Sequence, residues 1–221
     1  MNAAPNFDGL ARIYRWMELA SFGPALWRCR CHFLGELQSS RKALVLGDGD
    51  GRFTARLLEV NPEIRVDAVD ASPAMLRALM GRAGQHSERV RTFCADVRTW
   101  EPAGRDYDLI VSHFFLDCLT TEEVAGVARR LRSYISPEVK WLVSEFAVPQ
   151  SWFGRTMVQP VVSGLYLAFR GLTKLQVGRL PDYREVFEKE KLICQRRQDF
   201  LNGMLVAEVW SAGSAELLHS C

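Results

Sequence analysis

The apolar positions change their period along the chain, and each change marks an element boundary. From Phe7 to Leu37, Leu10, Ile13, Tyr14 and Met17, then Leu26, Phe33 and Leu37, recur at spacings of three, four and seven. That period predicts amphipathic helices, broken into two by Ser21-Phe22-Gly23-Pro24. Arg41-Lys42 then leads into the continuous apolar run Ala43-Leu44-Val45-Leu46, as a parallel strand buried on both faces requires, and the run ends at glycines. Further strands are predicted at 65–69, 90–95, 109–113 and 141–146, separated by helices over 73–80 and 121–134. Ser72 as N-cap with Pro73 at the first helical position starts one helix, and Thr120 or Thr121 lies near the cap of the other. Strand and helix alternating in this way predict an α/β, doubly wound, mostly parallel sheet.

Beyond Pro149 the rhythm stops. Residues 151–175 are apolar and aromatic without strand punctuation, and a polar helix is predicted over 182–190. Two final strands, 192–201 and 204–211, flank Asn202-Gly203, which predicts a tight two-residue hairpin because both positions tolerate positive φ. The resulting organisation is a single domain over 1–221. It has an N-terminal helical cap (7–37), a cofactor-binding core (41–149), an inserted substrate cap (151–180), and a final helix and hairpin (181–213).

Charge and cysteine content narrow the function. With 28 basic and 26 acidic side chains the formal net charge is +2, which provides no field for nucleic acid or an anionic membrane. The six cysteines form no CxxC pair and no small-domain framework, so they read as reduced thiols with no metal site. No basic segment leads into an apolar one at the N-terminus, and no run of about 18 apolar residues occurs, so a cytoplasmic protein without stable membrane insertion is expected. The pattern carries no signal for oligomeric state.

The most informative segment is Leu46-Gly47-Asp48-Gly49-Asp50-Gly51-Arg52, where an apolar strand runs through three alternate glycines into a helix. Glycine permits positive φ and removes the Cβ that would hold a ligand off the backbone, while the first N–H groups of the helix point outward. Asp70, at the carboxyl end of the second strand, is placed to accept hydrogen bonds from both hydroxyls of a ribose. Together they favour an adenosyl ligand at the carboxyl edge of the sheet.

These residues, with Asp70-Ala71-Ser72-Pro73-Ala74-Met75-Leu76 and Cys94-Ala95-Asp96-Val97, resemble the first three motifs of class I S-adenosylmethionine-dependent methyltransferases, in the family's order. The resemblance implies a seven-stranded Rossmann-like sheet ending in an antiparallel hairpin, S-adenosyl-L-methionine as cofactor, and a small-molecule acceptor. It implies that the loop residues Gly47, Asp48, Gly49 and Gly51 approach the methionine moiety, that Asp70 holds the ribose with Ala71 beside it among the cofactor-binding residues, that Met75 packs on the adenine, and that Asp96 with the Val97 backbone reads the adenine amino edge. Asp106 to His113 resembles the family's fourth strand, which carries Ser112 toward the cofactor. Val45 departs from the family, many members of which have a carboxylate there. Within the class, Tyr14, Ser21-Phe22-Gly23, Trp27-Arg28 and residues 142–146 resemble the ubiquinone/menaquinone C-methyltransferase group.

A sulfonium methyl is already electrophilic, so alignment of the acceptor supplies much of the rate, and one base near the methyl completes the chemistry at oxygen or carbon. His113 and Asp117 are the candidate catalytic residues by location. The alternative for His113 is a packed strand-end histidine, and for Asp117 a turn cap. Cys118 reads as an inert buried thiol. Trp152, Phe153, Met157, Leu165, Tyr166 and Phe169 form a roof for a flat or lipid-like acceptor, with core packing or contact with a membrane surface as alternatives. Two other functions stay open at this point: a non-catalytic adenosyl-binding module and a nicotinamide-dependent dehydrogenase.

Overall fold

The computed structural model describes residues 24–147 and 180–212. The expected helix before Ser21 and the segment 151–175 lie outside these residues. Twelve principal elements follow in chain order: α1 (Pro24–Cys31), β1 (Lys42–Leu46), α2 (Arg52–Val60), β2 (Arg65–Asp70), α3 (Pro73–Ala83), β3 (Val90–Cys94), β4 (Tyr107–His113), α4 (Thr121–Leu131), β5 (Ile135–Phe146), α5 (Tyr183–Lys189), β6 (Leu192–Phe200) and β7 (Leu205–Ala212). The strands form one seven-stranded sheet in the order β3-β2-β1-β4-β5-β7-β6. The first five are parallel, and β7 runs antiparallel to both β5 and β6.

Alternation along the strands builds a core on each face. Ala43 and Val45 of β1 join Phe53, Leu57, Val111 and Leu142 on one side. Leu44 and Leu46 join Ile110, Trp141, Val143 and Phe187 on the other. The central strands are buried on both faces because helices cover both, which is why they read as continuous apolar runs.

The helix starts follow local chemistry. Ser72 Oγ accepts the Met75 N–H at 3.3 Å, with Pro73 at the first helical position. At α4, Thr120 is the cap: its hydroxyl accepts the Glu123 N–H at 3.2 Å, and Glu123 accepts the Thr120 N–H at 2.8 Å. Two differences from the sequence reading have physical causes. Strand β5 begins at Ile135, before Pro137, because Tyr107 of β4 pairs with Ile135 across a register shift. The β6–β7 connection is not a two-residue turn: Phe200 pairs with Leu205, and residues 201–203 form a 3-10 turn in which Leu201, Asn202 and Gly203 all have positive φ.

One polar cluster fixes the hairpin to the last helix. Glu208 is fully buried on β7 and accepts from Tyr183 Oη at 2.8 Å and Trp210 Nε1 at 3.0 Å. Its other oxygen meets the guanidinium groups of Arg184 and Arg197.

The chain winds outward from β1 through β2 to β3, then returns to place β4 on the opposite side of β1. That reversal opens a crevice at the carboxyl ends of β1 and β4, where a doubly wound sheet receives its ligand.

Candidate active site

The three glycines after β1 have positive φ and divide the labour. Gly51 (φ +79°) lets α2 and α3 close together: a Cβ there would lie 2.5 Å from Leu79 Cα. Gly47 (φ +62°) lets the Phe115 ring rest on the loop, since a Cβ would overlap that ring. Gly49 (φ +60°) faces open space, with nothing within 4 Å of a Cβ position. That face of the loop is open.

Asp70, at the end of β2, accepts the Ser72 N–H at 2.8 Å, and the Gly49 N–H lies close enough for its dipole to act on the carboxylate. Burial raises its pKa, and these backbone N–H groups oppose the rise. The carboxylate thus organises the β2–α3 turn beside the open glycine. Ala71 is exposed beside it, its carbonyl 3.8 Å from Cys94 Sγ, and Met75 is half-buried at the start of α3.

The acidic residues of the loop face inward. Asp48 accepts the Thr54 N–H at 2.9 Å, capping the first turn of α2, and burial pushes its pKa up to about 6. Asp50 binds Arg52 at 3.1 Å and Arg82 at 2.8 Å, a clasp between α2 and α3. Val45 is 1% exposed in the apolar core.

Asp96 follows β3 and is held at 2.6 Å by Arg98, whose guanidinium lowers its pKa; Arg98 also reaches Glu123 at 3.1 Å. Val97 is buried, and its carbonyl accepts from Arg130 at 3.3 Å. Ser112 is fully buried, with its hydroxyl taking the Trp141 Nε1–H at 3.0 Å.

The end of β4 separates the two candidate catalytic residues. His113 is buried edge-on against Phe53 of α2, ring centroids 4.4 Å apart. Burial and the nearby Arg30 charge depress its pKa well below 6.5, so the ring is neutral and a weak base. Asp117 sits in the 3-10 turn 116–118, beside Cys118 Sγ at 3.5 Å, and burial pushes its pKa up to about 6.

Behind that turn lies Glu145 of β5, a residue sequence reasoning passed over. It is 2% exposed, and its Oε1 accepts the Phe115 and Leu116 N–H groups at 3.1 and 2.8 Å, while Oε2 is buried with no hydrogen-bond partner. Burial, then the charge of Asp117, raises its pKa well above 4.5, so Glu145 keeps its proton while Asp117 ionises. The available signal was an acidic residue closing the apolar run Leu142-Val143-Ser144.

Among the described residues no group of His, Cys, Asp and Glu has metal-ligand geometry, and no helix is long and apolar enough to cross a membrane. A surface cavity of about 510 Å³ lies outside the crevice, lined by Trp27, Arg52, Arg56, Glu59 and Arg82 of α1–α3, with its arginines bound to Asp50 and Glu59.

Comparison with known proteins agrees with this geometry. Residues 43–138 match a family model described as a methyltransferase domain. The chain is 36% identical over 111 residues to N-terminal Xaa-Pro-Lys N-methyltransferase 1 of Danio rerio, covering 48% of this chain and 49% of that protein. It is 37% identical over 75 residues to the malonyl-[acyl-carrier protein] O-methyltransferase of Paenibacillus sp. (strain JDR-2), covering 33% of this chain and 27% of that protein. The chain thus spans about half or less of the length of these curated relatives. A putative O-methyltransferase from Nostoc punctiforme superposes with a TM-score of 0.72 at 17% identity over 94% of this chain and 61% of that one. A TehB-like S-adenosylmethionine-dependent methyltransferase from Corynebacterium glutamicum superposes with a TM-score of 0.61 at 16% identity over 93% of this chain and 99% of that one. The matched model makes residues 43–138 similar to a methyltransferase domain, and the sheet order is the Rossmann-like fold of the methyltransferase structures above. S-adenosyl-L-methionine is the cofactor this similarity implies, and the Asp70 carboxylate near the open face of Gly49 fits it.

Proposed function

We propose that the protein transfers a methyl group from S-adenosyl-L-methionine to oxygen or carbon of a small, hydrophobic or aromatic acceptor. The observation that carries this reading is the crevice itself: an open positive-φ glycine near Asp70 on one side of the β1–β4 switch, and Asp117 with Glu145 on the other. When bound, the cofactor supplies an electrophilic methyl on sulfonium.

The chain's residues supply position and a proton acceptor. Gly49 approaches the methionine portion and Asp70 holds the ribose. Ala71 and Met75 border the ribose and adenine, and Asp96, Val97 and Ser112 belong to the same cofactor edge. Asp117, ionised above about pH 6, takes the proton from the acceptor as the methyl adds. Glu145 is a positioning residue: its grip on the Phe115 and Leu116 N–H groups fixes the turn that presents Asp117.

The likeness of residues 142–146 to the ubiquinone/menaquinone C-methyltransferase group supports a ring carbon as one target. The names of the O-methyltransferase relatives favour oxygen as the other.

Calorimetric titration with S-adenosylmethionine, S-adenosylhomocysteine and NADH tests the cofactor assignment. Both adenosyl compounds are expected to bind at micromolar concentration, and Asp70→Ala to lose them. NADH binding alone, or no binding, refutes the reading. Asp117→Asn is expected to keep S-adenosylhomocysteine affinity and to lower kcat by roughly a hundredfold or more. Unchanged turnover removes Asp117 from the mechanism.

A further inference from the structure

Outside the crevice, the cavity of about 510 Å³ carries chemistry that methyl transfer does not use. Arg52, Ala55, Arg56 and Glu59 lie on one face of α2 at spacings of three and four, while Phe53, Leu57 and Leu58 go to the core. Arg82 comes from the last turn of α3 and Trp27 from α1. The volume falls within the roughly 300–1,000 Å³ of small-molecule sites.

The cavity holds an excess of positive charge in a fixed arrangement. Arg52 donates Nε–H to Asp50 Oδ2 at 3.1 Å. Arg82 donates from Nη2 to the same oxygen at 2.8 Å and from Nε to the Asp50 carbonyl at 3.0 Å. Arg56 donates from Nη1 to Glu59 at 2.6 Å. These bonds use one nitrogen of Arg52, one of Arg56 and two of Arg82, so N–H donors remain on every one of these forks. Arginines outnumber carboxylates here, which leaves one positive charge over. Trp27 is 37% exposed, and an indole open to a cavity is a platform on which a flat ring stacks.

We infer that this cavity is a second ligand site that takes a small aromatic molecule carrying a phosphate. The ring stacks on Trp27, and the phosphate accepts from the remaining N–H groups of Arg52, Arg56 and Arg82. The inference is independent of the methyl-transfer reading. Charge balance selects the ligand. A cation is rejected, because Asp50 and Glu59 are already neutralised by the arginines. A phosphate offers more acceptor oxygens than a carboxylate to several guanidinium forks at once. A nucleic-acid strand finds no basic track, since the chain's net charge is +2 and Glu59 borders the cavity. Asp50 and Glu59 also hold the arginines in place before a ligand arrives, which lowers the ordering cost of binding.

The test titrates phenyl phosphate and inorganic phosphate into the protein at 0.15 M salt, a condition that screens loose surface attraction, with calorimetry and tryptophan fluorescence as readouts. Phenyl phosphate is expected to bind more tightly than inorganic phosphate, and to bind equally with and without saturating S-adenosylhomocysteine. Trp27→Ala should weaken phenyl phosphate roughly fivefold or more and leave inorganic phosphate unchanged. Arg56→Gln should weaken both probes roughly tenfold. Glu59→Gln, which frees the Arg56 guanidinium, should tighten both, a gain that structural damage cannot produce. Arg129→Gln, on α4 against the other face of the sheet, should change neither. Circular dichroism and thermal melting establish that each variant folds, and Arg56→Gln and Glu59→Gln carry the test if Trp27→Ala does not. The site is overturned if neither probe binds, if the cavity variants leave binding unchanged, or if Arg129→Gln weakens it as much as Arg56→Gln does. Displacement of phenyl phosphate by S-adenosylhomocysteine places the probe in the crevice and overturns the site as well. Equal affinity for the two probes overturns the aromatic half of the ligand.

Discussion

Replacing Asp48 with Asn opposes two effects whose magnitudes differ. The carboxylate caps α2 through the Thr54 N–H at 2.9 Å, and a negative charge at a helix N-terminus contributes about 0.3–1 kcal/mol over a neutral cap. Against this, burial raises the folded-state pKa from 3.8 to about 6, a shift of roughly two units and therefore ~2–3 kcal/mol of preference for the protonated form after allowance for residual solvent contact. Desolvation outweighs the charge. Because the folded pKa lies above the unfolded one, the penalty is absent below about pH 4, grows between pH 4 and 6, and is complete above that. Asn keeps an oxygen for the Thr54 N–H and carries no charge. Asp48→Asn should therefore match the wild type near pH 4 and exceed it by ~2 kcal/mol at pH 7.5, a rise of about 4–8 °C in Tm for a chain of this size. Urea and thermal denaturation of both proteins from pH 4 to 8 measure the difference. A variant less stable by the same amount at every pH shows that the charged cap dominates, and refutes the argument.

Two further substitutions probe the frame. Gly51→Ala places a Cβ 2.5 Å from Leu79 Cα at φ +79°, and should cost ~2–4 kcal/mol in urea denaturation, whereas Gly49→Ala, with open space around it, should cost about 1 kcal/mol and show its effect in S-adenosylhomocysteine affinity. Glu208→Ala strips the acceptor from Tyr183, Trp210, Arg184 and Arg197 at once and should lower stability by ~3–5 kcal/mol in the same assay.

The parts of the fold legible in the sequence were those set by short-range pattern. Ala43–Leu46 had to be a two-sided buried strand, and Ser72-Pro73 had to open a helix. The parts that escaped depend on partners distant in sequence. The start of β5 at Ile135 is dictated by pairing with Tyr107, which no local period reports. The hairpin loop was misread as two residues because Asn202-Gly203 carries the expected positive φ, but Leu201 adopts it as well. In the site, the carboxyl end of β2 brings Asp70 near the Gly49 backbone. Asp96 adds a clasp to Arg98, two residues on, for which the spacing was a visible signal. Glu145 was hidden because an acidic residue at the end of an apolar strand looks solvent-facing until the following turn of the neighbouring strand is seen to fold over it.

Phe115 rests its ring on Gly47 while its N–H is held by Glu145. One residue is therefore wedged between the cofactor loop and the turn that carries Asp117, and neither can shift without displacing the other. Under the proposed function, a cofactor that fixes the glycine loop would, through Phe115, also fix the turn that presents Asp117.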